Sequence, residues 1–196
     1  MPGGSAPPPD WSRAQRRLHW WVAALIPCGF VLAFVMVAWP LSDLLVKFLL
    51  YQAHKTIGLT VLILVAWRLV LRARRGRPAE EADLPEWQAR AARIGHAALY
   101  ALMLAVPVLG YFVAATAPAG VPTLFLLVIP VPHVVGPDEA AFGVLRAVHR
   151  SLAILLVVVA AGHALMAVRH HRRGRTVLVR MWRGGAAGSG PGRSRA

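Results

Sequence analysis

Five histidines lie within or at the ends of long apolar stretches: His19, His54, His96, His149 and His163. Ionisable side chains are rare in such surroundings and functional by default, and a neutral imidazole is a common metal ligand. Any one of these rings, taken alone, reads most simply as bonded to a backbone carbonyl. Their joint spacing says more. His149 and His163 are fourteen residues apart, just under four helical turns, so both leave roughly the same face of one helix. That spacing is about 21 Å of helix rise, most of a hydrocarbon core of about 30 Å. One helix therefore presents one imidazole near each membrane surface, and each needs a partner at its own depth. Taking the arginine-rich side of the chain as inner, His54 opens the outer end of a second helix, beside Lys55, as His149 sits beside Arg150. His19 opens the inner end of a first helix, just after Arg17. The expected pairs are His54 with His149 at the outer level and His19 with His163 at the inner level. His96, which opens another helix at the inner level, is the alternative to His19.

Two imidazoles per level suit some metal centres and not others. Zinc takes about four ligands, often including sulfur or carboxylate, and neither level supplies them. A haem iron takes one or two axial ligands and a flat apolar slot, and histidine is a standard axial choice. Ala160, Ala161 and Gly162 keep the fourth helix narrow beside His163. Lys55 and Arg150 outside, and Arg17 inside, are candidate contacts for anionic propionates. His96 is expected to bond a propionate. Two-histidine ligation leaves iron no open position, which favours electron transfer over oxygen binding. Two non-covalent haems b are therefore expected, since the chain contains no C-x-x-C-H attachment site. His133 is expected to face solvent in a loop, His170 and His171 to sit among headgroups, and Arg68 to snorkel to the interface.

The elements that must hold these residues follow from the charge pattern. Hydrophobic residues make up 57% of the 196-residue chain and charged residues 15%, well under the roughly 25% of ordinary soluble domains. Trp20–Trp39 and Leu152–Val168 contain no charge at all, and about 17 to 20 such residues span a membrane. Four transmembrane helices are predicted, at about Ser12–Trp39, Leu45–Leu71, Arg93–Ala115 and Val144–Val168, the third kinked by Pro107 and Gly110. Residues 12–183 form the membrane domain, and residues 1–11 and 184–196 are expected to be disordered. The segment up to Trp182 is expected to lie in the interface, and the apolar stretch Leu124–Ile129 of the outer loop 116–143 on the outer surface. The first apolar run is too long for a signal peptide and is expected to be retained.

The net charge of +14 does not indicate nucleic-acid binding. Seventeen of the 22 cations fall before the first span, between the second and third, and after the fourth. Alternate loops rich in arginine mark the cytoplasmic side, which places both termini there. The single cysteine, Cys28, excludes an internal disulfide and thiol-disulfide chemistry within the chain.

The stretch YQAHKTIGLTVLILVAWRLVLR, residues 51–72, resembles the second helix of bacterial cytochrome b561. LHWWVAAL (18–25), GHAALYALMLAVPVLGY (95–111) and VHRSLAILLVVVAAGHALMAVRHH (148–171) resemble its first, third and fourth helices, so the likeness covers about residues 12–183. The resemblance implies a four-helix bundle in the bacterial inner membrane with haem ligands at His19, His54, His149 and His163. It also implies electron exchange with ubiquinone or a similar quinone, and one branch is similar to superoxide oxidases. Lys47, Lys55, Arg146 and Arg150 outnumber Asp43, Asp138 and Glu139 on the outer side, which would steer such an anion. The alternatives are a cytochrome subunit that serves a dehydrogenase or hydrogenase partner, and a scaffold or transporter without haem. Lipid is the expected surrounding, with a redox partner or a second copy as a further partner. No acidic or histidine chain crosses the midplane, so proton uptake is expected locally at the quinone site.

Overall fold

The computed structural model describes residues 11–75, 85–175 and 177–183. The disorder expected for residues 1–10 and 184–196 concerns residues outside that set. Four helices long and apolar enough to cross a membrane make up most of it: α1 (Arg13–Ala38), α2 (Leu44–Arg75), α3 (Glu86–Thr116) and α4 (Glu139–Arg172). A two-stranded antiparallel hairpin, β1 (Thr123–Phe125) and β2 (Ile129–Val131), joins α3 to α4, and a short α5 (Val177–Trp182) follows. One end of the bundle is basic, with Arg13, Arg16, Arg17, Arg72, Arg74, Arg75, Arg169, Arg172 and Arg173. The hairpin lies at the other.

Each helix begins where its sequence can satisfy free backbone N–H groups. Ser12 and Gln15 form a reciprocal capping box on α1. Asp43 Oδ1 accepts from Val46 N before α2, and Asp138 Oδ1 accepts from Ala141 N before α4. Pro85 and Glu86 open α3 seven residues before the expected Arg93, and Glu86 pairs with Arg90 one turn on. α4 likewise starts five residues before the expected Val144. These added turns carry Glu86, Gln88, Arg90 and Glu139 ahead of the apolar stretches of α3 and α4.

Consecutive helices pack side by side, and α4 also meets α1. The core joins Val22 of α1, Val61 and Val65 of α2, Leu99, Leu102, Met103 and Val106 of α3, and Leu156 of α4. Most other large apolar side chains point outward, among them Val31, Phe34, Ile63 and Val158. An outward apolar surface over such helices is what a bilayer solvates. The chain is a multi-pass membrane protein.

Candidate functional site: two levels of paired histidines

Towards the hairpin end, His54 of α2 faces His149 of α4, with ring centres 6.3 Å apart and planes at 89°. Both rings are pinned from behind. His54 Nδ1 lies 3.1 Å from Gly29 O on α1, and His149 Nδ1 lies 3.0 Å from Val106 O on α3. A carbonyl can only accept, so Nδ1 carries the proton in each ring and Nε2 is left as a free lone pair. All four helices thus contribute to this level.

The sequence places a helix breaker beside each accepting carbonyl. Pro27 precedes Gly29 by two residues, and Pro107 follows Val106. The prolines lack the N–H that would bond Ala23 O and Met103 O, four residues earlier, and so loosen the helix next to the accepting carbonyls rather than freeing those carbonyls themselves. Glycines complete the fit. A Cβ at Gly110 would lie 3.0 Å from His149 Cε1, and one at Gly29 would lie 3.0 Å from Ile57 Cγ2. Gly110 is small because the imidazole lies against the helix there.

His54 and His149 each stand ten residues, about 15 Å, inside the hairpin-side ends of their helices. The expectation that they open those ends is corrected: the helices run on past them, and the hairpin packs against α2 at their level. Gln52, fully buried, donates from Nε2 to Pro122 O at 2.7 Å and accepts from Leu124 N at 2.9 Å. One turn later, Thr56 Oγ1 accepts from Leu126 N.

At the basic end three histidines meet. His19 of α1 lies 6.3 Å from His163 of α4, planes at 78°, and His96 of α3 lies 5.2 Å from the same ring. Arg68 of α2 does not extend to the interface as expected. Its guanidinium lies 5.6 Å from the Tyr100 ring centre, beside Arg72, within electrostatic reach of all three imidazoles. No ion pair joins Arg68 to a carboxylate among the described residues.

The spacing tests which ligand fits. A metal–imidazole bond is about 2.0–2.1 Å and the ligating nitrogen lies about 1.1 Å from its ring centre, so two imidazoles on opposite sides of one ion stand about 6.3 Å apart. His54–His149 and His19–His163 both have that separation, whereas His96–His163 is too short for it. No group of three or more histidine, cysteine or acidic side chains placed to hold a metal ion occurs among the described residues. The donor set therefore fits an ion that brings its remaining ligands with it, as a porphyrin does. One turn from His54, a Cβ at Gly58 would meet nothing within 4 Å.

The sequence pattern of prokaryotic cytochrome b561 matches residues 10–184. The chain belongs to the prokaryotic cytochrome b561 family. Cytochrome b561 homolog 1 of Escherichia coli (strain K12) is 28% identical over 161 residues, 82% of this chain and 89% of that relative. Cytochrome b561 homolog 2 of the same organism is 29% identical over 120 residues, 61% of this chain and 63% of that relative. As a member of the family, the protein is a membrane cytochrome whose function is transmembrane electron transfer by haem b.

The remaining candidates lie at different distances from this family's chemistry. Lys55, expected at a propionate, places Nζ 3.3–3.4 Å from the carbonyls of Val121 and Pro122 in the hairpin segment. Lys47 bonds Trp39 O, and the Arg146 guanidinium lies over Phe142. Arg150 is exposed on α4, and Arg17 is exposed at the start of α1 beside Trp20. His133 does not face solvent as expected. It is half-buried, with Nε2 2.9 Å from Thr123 Oγ1 and its ring edge-on to Tyr111, whose hydroxyl donates to Pro132 O. Burial first, and then the nearby Lys55 ammonium, hold its pKa below the usual histidine value.

Sequence reasoning missed Gln52 as the anchor of this loop, although an amide two residues before a paired histidine was the available signal. Gln52→Leu should strand the Pro122 carbonyl and the Leu124 N–H, at a cost of about 1–3 kcal/mol. Proteolysis between residues 117 and 138 should then accelerate about tenfold. Unchanged cleavage would remove the anchoring role.

Proposed function

We propose that the chain carries electrons across the bacterial inner membrane between a donor on the hairpin side and the respiratory quinone pool, using two haems b. The observation that carries this reading is the repeated 6.3 Å separation of two histidine pairs, both served by α4. His54 and His149 would hold one haem, and His19 and His163 the other. When bound, each haem would supply reversible one-electron chemistry, and two histidines holding it would leave no open site for a substrate.

The chain's own groups set the conditions. Gly29 O and Val106 O fix the tautomer and raise the basicity of the hairpin-end ligands. At the basic end, His96 is too close to His163 to share an ion with it across a ring plane. It stands with Arg68 as a polar wall of that level. Arg68 has no carboxylate partner among the described residues, and a half-buried guanidinium in a membrane protein calls for an anion. A propionate answers that need, in preference to the Arg17 contact expected from sequence. The arginine-rich end faces the cytoplasm by the distribution of cations. Between His149 and His163 the residues of α4 are Arg150, Ser151 and then apolar or glycine. No proton relay follows the electron's path, so protons for quinone reduction enter beside the quinone.

The test uses the holoprotein in sealed vesicles with quinone in the bilayer and an impermeant reductant at the hairpin face, superoxide being one donor to try. Quinol should form with the parental protein. His163→Ala should keep a reducible hairpin-end haem yet lose quinol formation. Quinol formation by that variant at the parental rate would mean that the quinone is served at the hairpin level and that the second pair has no part in the reaction.

A further inference from the structure

Outside the two histidine levels, the basic end contains a cavity of about 400 Å³. Arg13, Arg16 and Arg17 of α1 form one wall, Met181 and Trp182 of α5 the other, and Trp20 lies between them. Residues 13, 16 and 17 share one helical face, and all three arginines line the cavity. Trp20 holds the far wall in place: Nε1 donates to Met181 O at 3.0 Å, and its ring meets Trp182 edge-on at 5.1 Å.

The cavity is unbalanced in charge. Among the described residues none that lines it is acidic, and Arg16 Nη1 is shielded from solvent without a hydrogen-bond partner. Such a group costs free energy until an acceptor meets it, and a charged acceptor meets it best. The aromatic lining indicates which anion. Trp21 and Trp182 are 64% and 67% exposed on the bundle surface, and tryptophan settles where headgroups meet hydrocarbon. A free anion would use the arginines and leave these rings idle. A lipid uses both.

We propose that this cavity binds the phosphodiester headgroup of one anionic phospholipid, with Arg13, Arg16 and Arg17 on the phosphate and the acyl chains along Trp21 and Trp182. Basic pockets beside membrane helices recognise such headgroups by this combination. The lipid then lies beneath α5 and fastens the end of the described chain to the start of α1. This inference does not depend on which histidines ligate haem.

The full-length, haem-loaded protein would be delipidated in detergent and titrated with phosphatidylglycerol, phosphatidylcholine or inorganic phosphate, with retained ligand counted by native mass spectrometry. One phosphatidylglycerol per chain should be retained in preference to phosphatidylcholine. Arg16→Gln should weaken it about fivefold, the factor one cation contributes near an anionic membrane surface. Arg172→Gln, which removes a cation at the same end outside the cavity, should leave retention unchanged. Trp182→Ala, at the exposed end of α5, should show the same weakening and serves if Arg16→Gln does not accumulate. Parental retention by Arg16→Gln and Trp182→Ala, or equal weakening by Arg172→Gln, would overturn the site. Displacement by equimolar inorganic phosphate would show that a free anion, not a lipid, is the occupant.

Discussion

On the proposed assignment of two haems per chain, replacing His149 with alanine should leave one, read from the visible spectrum and haem-to-protein ratio of the purified protein. His149 is one of two rings 6.3 Å apart at the hairpin end, and nothing else among the described residues stands ready to replace it. His54→Ala should remove the same haem. His163→Ala should remove the other and leave the hairpin-end haem reducible. The sharper comparison lies between His19 and His96, both of which face His163. His19→Ala should lose the basic-end haem, because only His19 stands at the separation that two ligands of one ion require. His96→Ala should keep both. A variant series in which His96→Ala loses a haem and His19→Ala retains two would reassign that level.

The second large effect is expected at a residue that carries no functional group. Gly110→Val should release the hairpin-end haem or weaken its binding about 10- to 100-fold, the range seen when groups orienting a metal ligand are lost. Even the first added carbon would lie 3.0 Å from His149 Cε1 and 3.4 Å from Nδ1, so the valine methyls must push the imidazole off Val106 O. A gain in helix propensity over glycine runs the other way, so loss of haem would be steric in origin. Gly143→Ala is the control, since a Cβ there meets nothing within 4 Å. Full haem content and an unchanged spectrum in Gly110→Val would show that the contact does not position the ligand.

Much of this architecture is legible in the chain because a membrane enforces simple rules. Twenty uncharged residues can only be a span, and a fourteen-residue interval between histidines can only be one face at two depths. Depth itself was harder to read. Asp43 and Asp138 each cap a helix eleven residues before its paired histidine, and nothing in an apolar run says which of its turns lies at the membrane surface. The hairpin was hidden for a different reason. Its turn places Leu126 and Leu127 in the left-handed region, at φ 54° and 63°, where asparagine or glycine would have announced it. Leu126 is held there by its bond to Thr56. The choice between His19 and His96 needed a distance, since both face His163 at the basic end, six and ten residues inside α1 and α3. Arg68 resembled a snorkelling cation in sequence, and only Tyr100, five helical positions beyond Gly95 on another helix, shows that it turns inward.

The interval between His149 and His163 also has an electrical meaning. Their separation of about 21 Å along α4 is about two-thirds of a hydrocarbon core some 30 Å thick. A full crossing is worth about 2.3 kcal/mol per charge for each 100 mV of membrane potential. On the proposed assignment, one electron passing between the two levels works with or against about 1.5 kcal/mol per 100 mV. With no proton moving alongside it, that work is not cancelled. The distribution of electrons between the two ends of the protein should therefore shift with the energisation of the cell, making the fourth helix a voltmeter as well as a scaffold.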